Sequence, residues 1–435
     1  MSKRNNTTVD INLNLNVRGL NPSATLAINE KSNERLRNNL EVFKLGLGQS
    51  PFPVPAHVVE ALRDNAFRKD YLPVKGLPEL REAVAGFNTR VHKIESRAEN
   101  ILIGPGSKEL IFILQLVYYG DLTIPTPSWV SYSPQARIIG RHVNWVPTNK
   151  ENDYRLTPEK LDLICRTDPG RPRLVILNYP ANPTGSTYTL DRLKQVAEVA
   201  RKYKLVLVSD EIYGMIHHQG KHVSIARFYP EGTIISSGMS KWCGAGGWRL
   251  GTFSFPPSLK WLLDAMASVA SETYTATSAP IQYAAVKAFS GGDEISRYLD
   301  LSRKILKAIA RYLTGRLDRL HVTYPKPEGA FYLFPDFEYY REKLKEKDIY
   351  TSVEFCDRLL EETGVAMLPG SDFGRQPEEL TARMAYVDFN GEEALRSAGQ
   401  AGIEHPADDF VIEQCPKLVR AFDLLGDWLQ SLDQS

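Results

Sequence analysis

Four short runs, at 174–177, 205–208, 233–236 and 250–255, constrain this chain more than any other feature. Their near-continuous apolarity, in place of strict alternation, requires strands buried on both faces. Amphipathic helices accompany them. Leu77, Leu80, Val84 and Phe87 share a face of one, and Leu193, Val196, Ala197, Ala200 and Tyr203 share a face of another. Buried strands alternating with such helices predict an α/β fold, a mostly parallel sheet covered by helices. Beyond a helical stretch at 257–320, short strands at 330–334, 365–368 and 382–387 surround a helix at 353–360. That pattern predicts a smaller α+β domain. The expected division is 1–54 as an N-terminal segment completing the small domain, 55–320 as the large domain and 321–435 as the small domain. Residues 391–415 show no clear period, and a last amphipathic helix is expected from Pro416.

Charge and cysteine usage narrow the partners. Lysine plus arginine number 53 and aspartate plus glutamate 52, a net charge of +1. No overall field draws such a chain to nucleic acid or an anionic membrane. No apolar run approaches the ~20 residues of a membrane span. The basic start MSKRNNTTVD is not followed by the apolar stretch of a secretory signal, so the Asn6-Thr7-Thr8 sequon is read as chance. Cys165, Cys243, Cys356 and Cys415 lie far apart and suggest neither a zinc site nor a disulfide framework. The cytoplasm is the expected compartment.

In open α/β sheets ligands bind at the carboxyl ends of strands. Asn178-Tyr-Pro-Ala-Asn182 follows the first run, Ser209-Asp210-Glu-Ile-Tyr213 the second, and SSGMSKWCGAGGWRLG, residues 236–251, the third. Familiar nucleotide motifs are absent: Gly106-Ser-Lys108 lacks the order and spacing of a P-loop. Gly104-Pro-Gly106 and Gly244-Ala-Gly246 only begin like a dinucleotide fingerprint. His217, His218 and His222 read as a solvated hairpin, since no neighbouring carboxylate completes a metal set. What remains is Asn182, Asp210, Tyr213, Lys241 and Arg249. Taken singly, each has a structural explanation, such as an N-cap, a core aromatic or a surface ion pair. Taken together they fit pyridoxal 5'-phosphate. A buried carboxylate keeps its ring nitrogen protonated, phenol and amide bond its ring oxygen, lysine forms the Schiff base, and arginine at a helix N-terminus takes the phosphate.

The chain resembles the fold type I, class I aminotransferases, especially the bacterial aspartate/prephenate type. The resemblance rests on YPANPTG (179–185), SDEIY (209–213), SKWCGAGGWRLG (240–251), EGAFYLF (328–334) and RMAY (383–386). PSATLAINEK (22–31), LGLGQSPF (45–52), YLPVKGLPELREAV (71–84), GSKEL (106–110) and PSWVSY (127–132) precede them in order. It covers residues 17–390 and implies roles at the matching positions. Lys241 would carry the cofactor and shuttle the proton, Asp210 would pair with the ring nitrogen, and Trp129 would stack on the ring. Ser107, Lys108, Arg249 and Ser240 would hold the phosphate, and Tyr71 would reach the phosphate of a neighbouring subunit, implying a homodimer with shared active sites. Arg383 would clamp the substrate carboxylate under a loop at Gly48, with Asn182 and Trp129 also facing substrate. Many relatives carry serine three places before the lysine. Gly238 stands there, leaving Ser236 or Ser240 to supply that hydroxyl.

The implied reaction is a ping-pong exchange of an amino group between an L-amino acid and a 2-oxo acid. Lys108 and Ser23 stand where this group binds a distal carboxylate, which favours aspartate or glutamate. The alternatives are another pyridoxal phosphate reaction on the same scaffold (β/γ-elimination, decarboxylation or condensation) and a non-enzymatic ligand sensor. The same site chemistry serves several reactions. Retention of the lysine, and the lack of a helix-turn-helix pattern before residue 17, argue against the sensor.

Overall fold

The computed structural model describes residues 12–20, 22–400, 402 and 405–432. The basic start MSKRNNTTVD and its sequon lie outside them. Twelve strands are present among the described residues. They are β1 (Phe43–Lys44), β2 (Ile101–Gly104), β3 (Asp121–Thr126), β4 (Val143–Pro147), β5 (Arg173–Asn178) and β6 (Val206–Asp210). Then come β7 (Thr233–Gly238), β8 (Gly251–Ser254), β9 (Tyr332–Leu333), β10 (Val365–Ala366), β11 (Leu368–Pro369) and β12 (Ala382–Ala385). Seven form the central sheet in the order β2-β8-β7-β6-β5-β3-β4. Only β8 runs against the rest, pairing antiparallel with both β2 and β7. The α/β architecture with a mostly parallel sheet is therefore as expected.

The middle strands are buried on both faces: Leu174, Val175, Leu207, Val208 and Ile234 are essentially inaccessible. Helices cover them, and local chemistry fixes where several begin. Thr189 caps Leu190–Lys202 by accepting from Arg192 N, and Thr157 caps Pro158–Arg166 with proline in the first turn. Thr351 and Glu354 make a capping box at Ser352–Thr363. The smaller sheets join distant parts of the chain. Phe43–Lys44 pairs parallel with Val365–Ala366, and β12 lies between β11 and β9. The long helix Asp293–Arg319 buries Leu299, Ile305, Leu306, Ile309 and Leu313 along one side. No helix among the described residues is long and apolar enough to cross a membrane.

Two expectations are corrected. Residues 391–415, read as lacking a clear period, include two helices, Gly391–Gln400 and Asp408–Gln414. The first buries Gly391, Ala394 and Ala398, small residues whose spacing a search for large apolar side chains passes over. The histidines after Tyr213 are not a solvated hairpin either. His217 and His218 are buried, and burial pushes both imidazoles down to about 4. His222 bonds a carboxylate, Glu211 Oε2, at 2.7 Å. Pairing of a histidine with a carboxylate eleven residues away was not visible in the local spacing.

Candidate active site

The ends of β5, β6 and β7 open into a cavity of about 560 Å³. Asp210 is the last residue of β6 and is buried. Its Oδ2 accepts from the Tyr132 phenol at 2.6 Å and its Oδ1 from Ser236 Oγ at 3.1 Å. Burial pushes the carboxyl up to about 6, against the opposing pull of these two bonds and one from the Ile212 backbone. Asn178 ties the strands together by donating to Asp210 O at 2.8 Å and accepting from Asn182 N at 2.7 Å.

Lys241 follows β7 and donates from Nζ to the carbonyl of Gly48 at 2.6 Å. Its ammonium is held down to about 8, first by burial and then by the nearby positive charges of Arg383 and Arg249, with Asp210 opposing. Neutral amine is thus available far below the ordinary lysine range. Tyr213 shares a 2.7 Å hydroxyl–hydroxyl bond with Tyr332, and burial holds its phenol well above its usual range. It stays protonated.

Arg383 lies on β12 and is almost wholly buried. Nη1 donates to Asn182 Oδ1 at 3.1 Å, Nη2 donates to the Gly46 carbonyl, and the guanidinium lies 4.9 Å from the Tyr332 ring centroid. Its Nε is buried without a hydrogen-bond partner. Among the described residues no carboxylate makes a salt bridge with it, though Asp372 favours its charge, so the site retains a buried cation with a donor to spare. On the other side, Ser107 begins the helix Ser107–Val117 behind Gly106, whose φ is +93°. Arg249, in left-handed conformation at φ 55°, reaches this turn and donates to Gly246 O at 2.9 Å. A helix N-terminus beside a guanidinium is an anion site. Lys108 lies over Trp129, 5.2 Å from the ring centroid, and burial followed by Arg249 lowers its ammonium pKa.

The cavity gathers Lys241, Asp210, Tyr213, Asn182, Trp129, Ser107, Lys108, Arg249, Ser240, Arg383, Gly48 and Ser23. Tyr71 stands apart with 91% of its surface exposed. Ser236 is committed to Asp210, whereas Ser240 faces the cavity. Gly238 has a packing reason: a Cβ there would lie 2.7 Å from Leu250 O and 3.1 Å from Gly251 Cα. The sequence reading missed Tyr132 and Tyr332. Both sit inside quoted motifs, PSWVSY and EGAFYLF, but only tertiary contact shows what their hydroxyls meet.

Comparison with known proteins gives concordant matches. The family model described as aminotransferase class I and II matches residues 41–389. An aspartate aminotransferase of Geobacillus stearothermophilus is 36% identical over 381 residues, 85% of this chain and 93% of that protein. The aspartate/prephenate aminotransferase of Thermus thermophilus is 32% identical, covering 89% of this chain and 96% of its own. Among solved structures, Thermus thermophilus aspartate aminotransferase with maleate superposes with a TM-score of 0.79 at 31% identity, covering 90% of this chain and 98% of that one.

Proposed function

Because the chain belongs to the class I and II aminotransferases, which depend on pyridoxal 5'-phosphate, we propose that it moves the amino group of an acidic amino acid, aspartate or glutamate, to a 2-oxo acid. The observation that carries the reading is the Lys241 amine and the Asp210 carboxylate bordering one cavity with Arg383, whose buried Nε is free. The residues fit the cofactor. A buried acid suits its ring nitrogen, and the helix N-terminus with Arg249 suits its phosphate.

Bound there, the cofactor supplies an aldehyde for amines and a ring that draws electron density from the substrate Cα. Asp210 holds a proton at the ring nitrogen, and Tyr132 and Ser236 fix that carboxylate in place. Tyr213 and Asn182 bond the ring oxygen, with Tyr332 setting the direction of the Tyr213 hydroxyl. Trp129 stacks against the ring. Ser107, Ser240, Lys108 and Arg249 hold the phosphate. Arg383 takes the substrate α-carboxylate, its planar fork matching two oxygens. Lys241, whose amine loses its proton near pH 8 and not in the ordinary lysine range, takes the Cα proton and returns it. The Gly48 loop covers Lys241 through its carbonyl, so closure and the proton shuttle meet at one point. Lys108 and Ser23 favour a second carboxylate on the substrate. Relatives named for aspartate support that class.

Tyr71 belongs to a partner's site in a homodimer, a reading its exposure supports. A reducing compartment such as the cytoplasm fits four buried, unpaired cysteines. The test is a single half-reaction. Aspartate added alone to the holoenzyme should give one equivalent of oxaloacetate per site and leave pyridoxamine phosphate. Pyruvate with ammonia, or carbon dioxide, would replace this reading with a lyase.

A further inference from the structure

Glu211 follows Asp210, and the alternation of side chains turns it away from the cavity that Asp210 enters. Two imidazoles converge on its buried carboxylate. His222 Nε2 lies 2.7 Å from Oε2, and His92 Nδ1 lies 3.6 Å from the same oxygen. The three donor atoms fall within 4.8 Å of one another. His92 Nδ1 is buried and makes no hydrogen bond.

The surroundings are built to hold this arrangement. Ser209 Oγ donates to Glu211 Oε1 at 2.7 Å and the Ser224 hydroxyl donates to the same atom, so the carboxylate is fixed with Oε2 turned to the imidazoles. His92 ends a π-helical turn, Asn88–His92, closed by Lys93 at φ 57°. Such turns insert an extra residue that re-aims the side chains beyond it. Gly214 leaves room for the second imidazole: a Cβ there would stand 2.8 Å from His222 Cδ2.

We propose that His92, Glu211 and His222 form a divalent transition-metal site of the zinc class, separate from the cofactor cavity. Two histidines and one glutamate are a common zinc donor set, with water completing the fourth position. Zinc–ligand bonds of ~2.0–2.1 Å set tetrahedral donors about 3.3 Å apart. His222 and Glu211 must therefore separate by roughly half an ångström, His92 must approach the carboxylate by less, and the two imidazole nitrogens, which lie within 4.8 Å of each other, must come to the same spacing. Ligation needs the lone pair of His222 Nε2, so any hydrogen on that nitrogen must move to Nδ1 or leave. The ion would pin the turn after Phe87 to the strand end that carries Asp210. Its role is structural.

Cobalt and zinc test this on the holoenzyme after dialysis against chelator. One equivalent of Co²⁺ should produce the d–d absorption of a four-coordinate ion, and Zn²⁺ should abolish it by displacement. Zn²⁺ should raise the Tm of the wild type. His92→Ala should lose the cobalt band and the zinc-dependent Tm shift while keeping full cofactor occupancy. If His92→Ala does not fold, zinc-edge anomalous diffraction from wild-type crystals decides, and a peak among the three side chains is required. No cobalt band, a band that survives in folded His92→Ala, or no anomalous peak there would each show that the three residues form only a closed ion-pair network.

Discussion

The Tyr132 phenol donates to Asp210 Oδ2 at 2.6 Å and opposes the burial that still leaves that carboxyl raised to about 6. Hydrogen bonds to a charged acceptor contribute about 1.5–3 kcal/mol. Tyr132→Phe removes one that favours the ionised acid, so the carboxylate is lost at a higher pH than in the wild type. Steady-state rates should fall roughly tenfold to a hundredfold, following that range, and the acidic limb of the pH–rate profile should move upward. Ser236→Ala, which removes a longer bond of 3.1 Å, should move both in the same direction by less. An unchanged pH profile in Tyr132→Phe would remove the phenol from this role.

Lys241 has a cost in the cofactor-free protein. Its folded-state value of about 8 lies below the ordinary 10.5, so between those values the folded chain holds fewer protons than the unfolded one. The associated stability is present above the ordinary value and is lost as pH falls through about 8. Because the amine borders an open cavity, solvent screening reduces the cost to roughly 1–3 kcal/mol at neutral pH. Cofactor-free Lys241→Met should therefore be more stable than cofactor-free wild type by that amount in urea at neutral pH, and the gap should close in alkali. The variant should have no transaminase activity.

Gly48 and Tyr332 occupy one another's space: a Cβ on Gly48 would fall on the Tyr332 hydroxyl. That hydroxyl bonds Tyr213 at 2.7 Å. Gly48→Ala must push the loop outward or swing Tyr332 away. Misplacement of about 1 Å in such a site costs on the order of a hundredfold. The loss should appear in kcat/KM for the amino acid, with urea stability nearly unchanged. Tyr332→Phe, which leaves the loop free, should cost less.

Much of this site could be read from the chain, because its chemistry sits where near-continuous apolar strands end. Asn182, Asp210 and Lys241 each follow such a strand, and their residue types are tightly tied to one cofactor. Hydroxyl partners were harder. Tyr132, Tyr332 and Ser236 become meaningful only when the sheet brings residues 26, 78 and 119 positions apart into contact. The short strands were placed but not delimited: 330–334 holds the two-residue β9, and 365–368 holds β10 and the start of β11, each too short to show a period. His92 and Glu211 belong to the same class of blind spot, since neither carries a local sign of the other.

The glycine three places before Lys241 is a spacer. Gly238 pairs with Gly251 across antiparallel β7 and β8, and a side chain there meets Leu250 O at 2.7 Å. Gly238→Ser therefore adds no phosphate ligand. Overpacking of this kind costs about 1–3 kcal/mol. Urea denaturation should show that loss, and equilibrium binding should show weaker, not tighter, affinity for pyridoxal 5'-phosphate. Ser240→Ala, with its side chain already facing the cavity, should weaken cofactor binding without the stability loss.

Tyr71 tests the proposal of a homodimer with shared sites. Its ring is 91% exposed in a single chain, an arrangement with no packing purpose of its own. If the phenol serves a partner, Tyr71→Ala and Lys241→Ala disable the same site from opposite chains. Each homodimer alone should be nearly inactive. When the two variants are unfolded together and refolded, half of the dimers should be mixed, and each mixed dimer should contain one site with both native residues. Recovered activity should approach about a quarter of wild type, as random pairing in a two-fold dimer requires. Recovery no greater than the sum of the separate variants would confine Tyr71 to its own chain.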